Sequence, residues 1–205
     1  MTWFARDDTP VLTGQRLVLR GPRLADFQQW RALRRSSRDF LKPFEPRWTD
    51  ADLSQRVFAA RIRRGWREAR AGSDYSFLIF RPVAGGGETL VGGLTLSNVR
   101  RRAAQFANLG YWMGQQYAGQ GLMTEAVGIV LPYVFETLGL HRLHAAFLPG
   151  NIPSRRVLEK NGFQEEGYAE NYLQIDGKWA DHVLFGLTRE RWESRRRPGR
   201  AGMLV

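Results

Sequence analysis

Apolar residues recur with two different periods along the chain, and these periods divide it into predicted strands and helices. A period of two, or a short apolar run between turn residues, predicts a β-strand. Such segments are residues 16–20, 75–80, 89–96, 106–113 and 141–148, followed by a long hairpin of residues 163–175 and 179–187. Asp176-Gly177 forms the hairpin turn, because this dipeptide accepts the backbone angles of a tight connection.

A period near 3.6 predicts helices at residues 24–35, 50–66, 122–138 and 153–160. Asp50 is placed to cap the second of these helices. Pro132 lies inside the third and should bend it, because proline has no N–H to donate. The order is strand, two helices, three strands, helix, strand, helix and two strands. This order predicts an α/β fold with a mixed sheet, since it contains both hairpins and helical crossovers.

The composition suits one packed domain and excludes some chemistry. The chain has 205 residues, of which 43% are hydrophobic and 12% aromatic, and it contains no cysteine. Disulfides, cysteine metal sites and a cysteine nucleophile are therefore excluded, and a reducing cytoplasm is suitable. The longest apolar stretch, residues 127–135, is too short to span a bilayer, and residues 1–13 lack a signal-peptide core. We expect a soluble, cytoplasmic protein with no membrane partner.

The net charge is +11, and much of the excess is arginine. A basic surface attracts polyanions such as RNA. We interpret most of these arginines as a solvated surface, and weak contact with RNA or a ribosome is the alternative. His141, His144 and His182 lack the spacing of metal ligands, so no metal site is predicted.

A glycine turn between the fourth predicted strand and the next helix is suited to an anion. Backbone N–H groups and the helix dipole stabilise a phosphate there, and glycine lets it approach the backbone. A P-loop requires a lysine that is missing after Gly121, and a dinucleotide fingerprint requires a glycine where Thr124 stands. The acetyltransferase form, Gln/Arg-x-x-Gly-x-Gly/Ala, fits Gln116, Gly119 and Gly121. An ordinary turn before a helix remains the alternative for this motif by itself.

A second segment strengthens the acetyltransferase interpretation. Residues 151–163 read N-I-P-S-R-R-V-L-E-K-N-G-F, which resembles the N-x-x-S…L-x-x-x-G-F segment of the GNAT superfamily of N-acetyltransferases. Both segments follow a strand, in the right order, with one helix between them. Other stretches resemble the RimJ-type branch, whose members acetylate the N-terminal alanine of a ribosomal protein. These stretches are residues 40–46, 109–114, 121–126 and 172–184.

The resemblance implies the GNAT fold, an α/β (α+β) architecture. Its sheet is mixed, mostly antiparallel and seven-stranded, is flanked by helices, and has a splayed central strand pair. The chain then divides into an N-terminal extension (1–13), a single GNAT domain (14–192) and a basic C-terminal tail (193–205). The resemblance also implies acetyl-CoA as the co-substrate and no metal. A monomer and a homodimer both remain open.

The donor site that the resemblance implies lies between the strand that ends at Met113 and the strand that starts at His141. Backbone groups of Trp112 and Met113 would bind the pantetheine arm and the acetyl carbonyl. Asn151 and Ser154 would lie near the thioester and the far end of the arm. The pyrophosphate would be held by backbone N–H groups of Ala118, Gly119, Gln120, Gly121 and Leu122, after Gln116 at the head of the motif.

Acetyl transfer to an amine requires a neutral amine, a stabilised oxyanion and a leaving thiolate. Without cysteine, and with no histidine partner for Ser154 in its segment, direct attack in a ternary complex is the simpler route. The N–H of Met113 is a candidate for stabilising the oxyanion. Ser154 is a candidate for donating to the leaving thiol, and the alternative is that its hydroxyl caps the helix backbone.

Glu170 is the candidate for the general base, because it lies near the acceptor-facing strand of the hairpin. Related enzymes use a carboxylate on this hairpin, but Leu173 stands where theirs aligns. A water relay is therefore the alternative, since an α-amine has a pKa of about 8 and is partly neutral without help. Phe44 and Glu45 are candidates for lining the acceptor entrance.

Three hypotheses for the function follow. The first is acetylation of a protein N-terminus, such as that of a ribosomal protein. The second is acetylation of a small-molecule amine, because one fold serves many acceptors. The third is a non-catalytic protein that binds RNA or the ribosome, for which the basic charge and the arginines of the tail speak.

Overall fold

The computed structural model describes residues 9–196, so residues 1–8 of the predicted extension and 197–205 of the predicted tail lie outside the described residues. Its centre is an eight-stranded sheet in the order β1-β2-β3-β4-β5-β6-β8-β7. The strands are β1 (Leu12–Thr13), β2 (Val18–Arg20), β3 (Tyr75–Pro82), β4 (Glu88–Arg100), β5 (Phe106–Met113), β6 (Arg142–Phe147), β7 (Gln164–Ile175) and β8 (Lys178–Thr188). Neighbours pair antiparallel except β5 and β6, which are parallel.

Helices cover the sheet as the pattern of strands and crossovers predicted. They are α1 (Phe27–Ser36), α2 (Arg38–Leu41), α3 (Gln55–Ala71), α4 (Leu122–Pro132), α5 (Ile152–Lys160) and α6 (Arg189–Arg196). The predicted architecture is confirmed, with one strand more than the expected seven. The additional strand is β1, whose two residues lie in the predicted extension and pair with β2 at the edge of the sheet.

The start of α3 differs from the prediction. Asp50 does not cap this helix, because it begins a short 3-10 turn of its own that ends at Leu53. Ser54 is the cap, and its hydroxyl accepts a hydrogen bond from the N–H of Val57 at 3.4 Å. Periodicity gives the extent of the helix but does not distinguish two polar residues that can both cap.

The helix after the glycine turn is shorter than the predicted residues 122–138. α4 ends at Pro132, and Tyr133–Thr137 form a wider π-helical turn. Proline lacks the N–H that an α-helix requires at this position, and its ring displaces the carbonyl one turn earlier. The N–H of Leu138 donates to the carbonyl of Tyr133 at 2.8 Å instead, and the chain then turns into β6.

The two faces of the sheet carry different layers. One face packs against α4 and α5 and includes Met113 of β5, Ala145 of β6 and Val183 of β8 in its core. The other face packs against α1 and α3 beside β3 and β4, and Trp112 lies at the margin of that second core. Since side chains alternate along a strand, odd-numbered residues of β5, β6 and β8 face the first layer and even-numbered ones the opposite side of the sheet.

Candidate active site

The central strands β5 and β6 separate after a short paired stretch. Their parallel pairing covers only Phe106 with Arg142, Ala107 with Leu143, and Asn108 with His144. Beyond it, residues 109–113 of β5 and 145–147 of β6 have no ladder between them. The predicted splayed pair is therefore confirmed, and the sheet is open at the C-terminal ends of both strands.

The backbone direction of β5 decides which of its groups face this gap. The N–H of Gly114 donates to the carbonyl of Val91 at 2.9 Å, and the register of β4 with β5 is unbroken from there to Asn108. In an antiparallel ladder only alternate residues point at a given neighbour. The backbone of Trp112 is therefore committed to β4, and that of Met113 and Tyr111 points into the gap. The expectations for Met113 and Trp112 both stay predictions, and the strand register favours the backbone of Met113 over that of Trp112.

The glycine turn presents unused donors next to the gap. Gly119 and Gly121 have φ of 75° and 74°, and Gly121 begins α4 without a side-chain cap. Within residues 9–196, the N–H groups of residues 119–124 have no hydrogen-bond acceptor. Ser37 fixes the start of the turn, since its hydroxyl accepts from the N–H of Gln115 at 3.0 Å. A row of free N–H groups at a helix start is an anion site.

A cation lies at the edge of the same turn. The guanidinium Nε of Arg16 donates to Glu125 at 2.7 Å, and its backbone N–H donates to the same carboxylate at 2.8 Å. A side chain at Gly121 would come within 3.8 Å of the Arg16 guanidinium. Glu125, in the first turn of α4, therefore fixes Arg16 against the turn. No local pattern in the sequence indicates this role of Arg16, because 109 residues separate the pair.

Ser154 hydrogen bonds to a tyrosine on the rim of the gap. The side-chain oxygen of Asn151 accepts from the N–H of Ser154 at 3.1 Å, so Asn151 is the cap of α5. The hydroxyl of Ser154 lies 2.7 Å from the hydroxyl of Tyr111. Burial raises the pKa of Tyr111 to about 12, against the opposing effect of the Ser154 hydrogen bond, so the phenol stays protonated. The alternative of Ser154 as the capping residue is wrong.

The loop that carries Phe44 and Glu45 forms one wall of the second face. Both terminal nitrogens of Arg34 donate to the carboxylate of Glu45 at 2.9 Å, and the indole of Trp48 donates to it at 2.9 Å. The Arg34 guanidinium is buried and lies 4.9 Å from the ring centre of Trp112. The carboxylate of Glu45 is therefore tied to the wall. The neighbouring Phe44 is 42% exposed.

The tip of the β7–β8 hairpin meets this loop. The N–H of Asp176 donates to the carbonyl of Glu45 at 3.0 Å, and Arg47 donates to the carbonyl of Asp176 at 2.9 Å. Glu170 lies in an irregular stretch of β7 between Ala169 and Leu173, where its side chain is exposed. The structure thus brings the loop and hairpin together, and Glu170 stays at the surface.

Among the described residues there is neither a metal-ligand cluster nor a helix suited to crossing a membrane. Across residues 9–196, no group of three His, Asp or Glu side chains converges as metal ligands would. In the same range, no helix combines the length and the apolar character that crossing a membrane requires.

Comparisons with known proteins agree with this geometry. Residues 16–164 match the family model of the acetyltransferase (GNAT) domain. The chain is 37% identical over 195 residues to the [ribosomal protein uS5]-alanine N-acetyltransferase of Escherichia coli, covering 92% of this chain and 94% of that one. The chain belongs to the GNAT acetyltransferase family.

Two solved structures of ribosomal-protein acetyltransferases are similar to most of the chain. Mycobacterium smegmatis RimJ, in complex with CoA-disulfide, superposes with a TM-score of 0.79 at 34% identity, covering 89% of this chain and 86% of that one. The ribosomal-protein-S5-alanine acetyltransferase of Vibrio fischeri gives 0.80 at 26% identity, covering 89% and 98%. The chain is an N-acetyltransferase that resembles RimJ enzymes, as residues 40–46 and 172–184 indicated.

Proposed function

We propose that this enzyme transfers the acetyl group of acetyl-CoA to the N-terminal α-amine of a protein, with a ribosomal protein as the acceptor. The observation that carries the proposal is the position of the free N–H groups of residues 119–124 beside the open edge of β5. An anion site next to a slot between strands fits a diphosphate with a long arm. The names of its relatives support the acceptor class.

Donor binding divides between the turn and the gap. The N–H groups from Gly119 to Leu122 bind the pyrophosphate, and Arg16 adds a positive charge at the rim of the turn. The arm follows the unpaired edge of β5, where the backbone of Met113 and Tyr111 supplies hydrogen bonds in the manner of a missing strand. Ser154 lies on the opposite side of the gap, near the thioester.

Catalysis needs little from side chains on the donor side. An N–H on the open edge of β5, that of Met113 or Tyr111, stabilises the oxyanion of the tetrahedral intermediate. The leaving thiol has an ordinary pKa of about 8.5, so a hydrogen bond is enough help. The proposal takes Tyr111 as the donor in its 2.7 Å hydrogen bond with the Ser154 hydroxyl, which leaves the Ser154 proton to point at the departing sulfur.

The acceptor approaches from the second face, between the loop of Phe44 and Glu45 and the β7–β8 hairpin. Glu45 holds the loop through Arg34 and does not take the proton, because its carboxylate already accepts from Arg34 and Trp48. The exposed ring of Phe44 contacts the apolar part of the incoming chain.

Thiol release measures the proposed function directly. The enzyme is incubated with acetyl-CoA and a peptide that starts with alanine or serine, the same peptide with a formylated N-terminus, a polyamine, or no acceptor. Release with the free peptides alone supports the proposal. Thiol release with the polyamine alone would mean that the enzyme acetylates small amines instead. Release with the formylated peptide would place the acceptor amine on a lysine side chain.

A further inference from the structure

His182 of β8 is a buried histidine with one unused ring nitrogen. Its side chain is 3% exposed. The Nδ1 atom lies 2.9 Å from the carbonyl oxygen of Ala180. A carbonyl only accepts, so Nδ1 carries the proton and Nε2 keeps its lone pair. Within residues 9–196, Nε2 has no hydrogen-bond partner, and it is not among the polar atoms sealed from solvent.

The position of His182 in the sheet places it at the wide end of the gap. Val183 pairs with Phe147, the last residue of β6, so His182 lies one residue beyond the end of that strand. Val183 faces α4 and α5, and His182 therefore faces the opposite side, the same side as Trp112 of β5. This is the face on which the acceptor approaches in the proposed function.

The irregular stretch of β7 lies opposite His182. Ala169 pairs with His182 and Leu173 with Ala180, so residues 170–172 face Asp181 alone. The ring centre of Tyr172 lies 5.7 Å from that of the imidazole, and the two rings are tilted by 60°. Bulges are frequent next to active sites because they change the direction in which side chains point.

The carboxylate of Asp181, the residue before His182, faces the opposite side of the sheet because side chains alternate along a strand. Asp181 accepts from the hydroxyl of Tyr168 at 2.6 Å and from the N–H of Asn171 at 2.8 Å. These hydrogen bonds hold its pKa below the ordinary value. The side chain of Glu170 is exposed at the surface, in the irregular stretch of β7. His182 is therefore the base that the acceptor face offers.

We propose that Nε2 of His182 accepts the proton of the acceptor ammonium, directly or through one water. This inference rests on the proposed function and assigns its base. His182 takes one proton, and the freed lone pair of the nitrogen forms the bond to the acetyl carbon. Collapse of the intermediate breaks the carbon–sulfur bond. Of the two protons left on the nitrogen, one stays in the amide and the other passes through the Ser154 hydroxyl to the thiolate as the carbon–sulfur bond breaks, and His182 returns its own proton to solvent.

Two variants separate a base from a structural residue. His182→Asn keeps an N–H that can donate to the Ala180 carbonyl but has no basic nitrogen, and His182→Ala leaves space for an added imidazole. Glu170→Gln is the matched control, since it removes the candidate carboxylate of the same hairpin. Steady-state thiol release with an alanine-starting peptide gives kcat and KM, binding of CoA reports the donor site, and thermal melting reports folding.

The expected result for His182→Asn is a fall in kcat of about 100-fold or more, the usual lower bound for loss of a general base. CoA affinity and melting temperature should stay at the wild-type values. Imidazole should restore part of the rate of His182→Ala and leave His182→Asn and the wild type unaffected. Glu170→Gln should remain within a factor of three.

Several outcomes would overturn the assignment. If the kcat of His182→Asn stays within threefold of the wild-type value, His182 is not the base. A large loss of kcat in Glu170→Gln would contradict the assignment in the same way. If His182→Asn unfolds, the imidazole response of His182→Ala decides, and no response refutes the proposal. If the wild type acetylates a polyamine and no peptide, the proposed acceptor fails. The same variants are then compared on the polyamine, because its ammonium also has to lose a proton.

Discussion

A charge placed at Gly119 tests the pyrophosphate site, because two matched side chains differ there only in charge. Gly119 has φ of 75°, a left-handed conformation that asparagine and aspartate accept better than other side chains. A Cβ at this position meets no atom within 4 Å, so neither side chain displaces a neighbour. Gly119→Asp and Gly119→Asn therefore carry similar backbone strain, and their difference isolates the carboxylate.

The size of the effect follows from Coulomb's law. For a carboxylate and one phosphate charge separated by about 6 Å, the repulsion is about 0.7 kcal/mol in bulk water and about 2.8 kcal/mol at an effective dielectric constant of 20. The turn is exposed to solvent, so we use the value for bulk water. The two charges of a pyrophosphate then give about 1.4 kcal/mol, which is about tenfold in the Kd of CoA.

Calorimetric titration of CoA into both variants measures this difference, and thermal melting controls for folding. Gly119→Asp should bind CoA at least about tenfold more weakly than Gly119→Asn, and the gap should narrow as salt rises, because ions screen exposed charges. Acetyl-pantetheine, which lacks the pyrophosphate, should be used equally by both variants. Equal CoA affinities, or a deficit that persists with acetyl-pantetheine, would refute the position given to the diphosphate.

Three further changes test the walls of the site. Glu45→Gln should lower the free energy of unfolding in urea by about 3 kcal/mol, since it leaves a buried guanidinium without its counter-ion, and the exposed ion-pair change Asp50→Asn should cost less than about 1 kcal/mol. Tyr111→Phe should reduce kcat about fivefold, the worth of one hydrogen bond, and should add little to Ser154→Ala in the double variant. Burial, and then the nearby arginine of β6, lower the pKa of His144. The unfolded chain therefore binds the extra proton, and stability from this group is complete above about pH 6.5 and is lost as pH falls. His144→Asn should reduce the change of the urea unfolding midpoint with pH below about pH 6.5.

Local patterns predicted the parts of the fold that local physics determines. β5 begins and ends at Phe106 and Met113, as alternation predicted, and the hairpin turns at Asp176 as its turn residues required. The glycine turn was readable because left-handed φ at Gly119 and Gly121 is itself a local property. The π-turn after Pro132 was predicted only as a bend, because the way a chain continues past a proline depends on the packing around it.

The contacts that complete the site were not readable in the same way. Tyr111 and Ser154 lie 43 residues apart, and Arg16 and Glu125 lie 109 residues apart. Each pair forms only when strands from different parts of the chain become neighbours. No local periodicity or sequence motif indicates these contacts. Alternation alone did contain one usable signal, since it puts Tyr111 on the same edge as Met113.

The donor and acceptor sites also differ in what they are made of, and this explains why one was easier to read than the other. In the proposed function, the donor side uses backbone N–H groups of residues 119–124 and the open edge of β5, which any sequence that forms the turn and the splay provides. The proposed acceptor side uses side chains from the loop around Glu45 and from the β7–β8 hairpin around His182, and a hydrogen bond at Asp176 joins this loop to the hairpin. Exchanging this loop and hairpin together between relatives should therefore change the acceptor and leave CoA affinity unaltered. Exchanging one of them alone should disrupt the hydrogen bond between Asp176 and Glu45 that joins them.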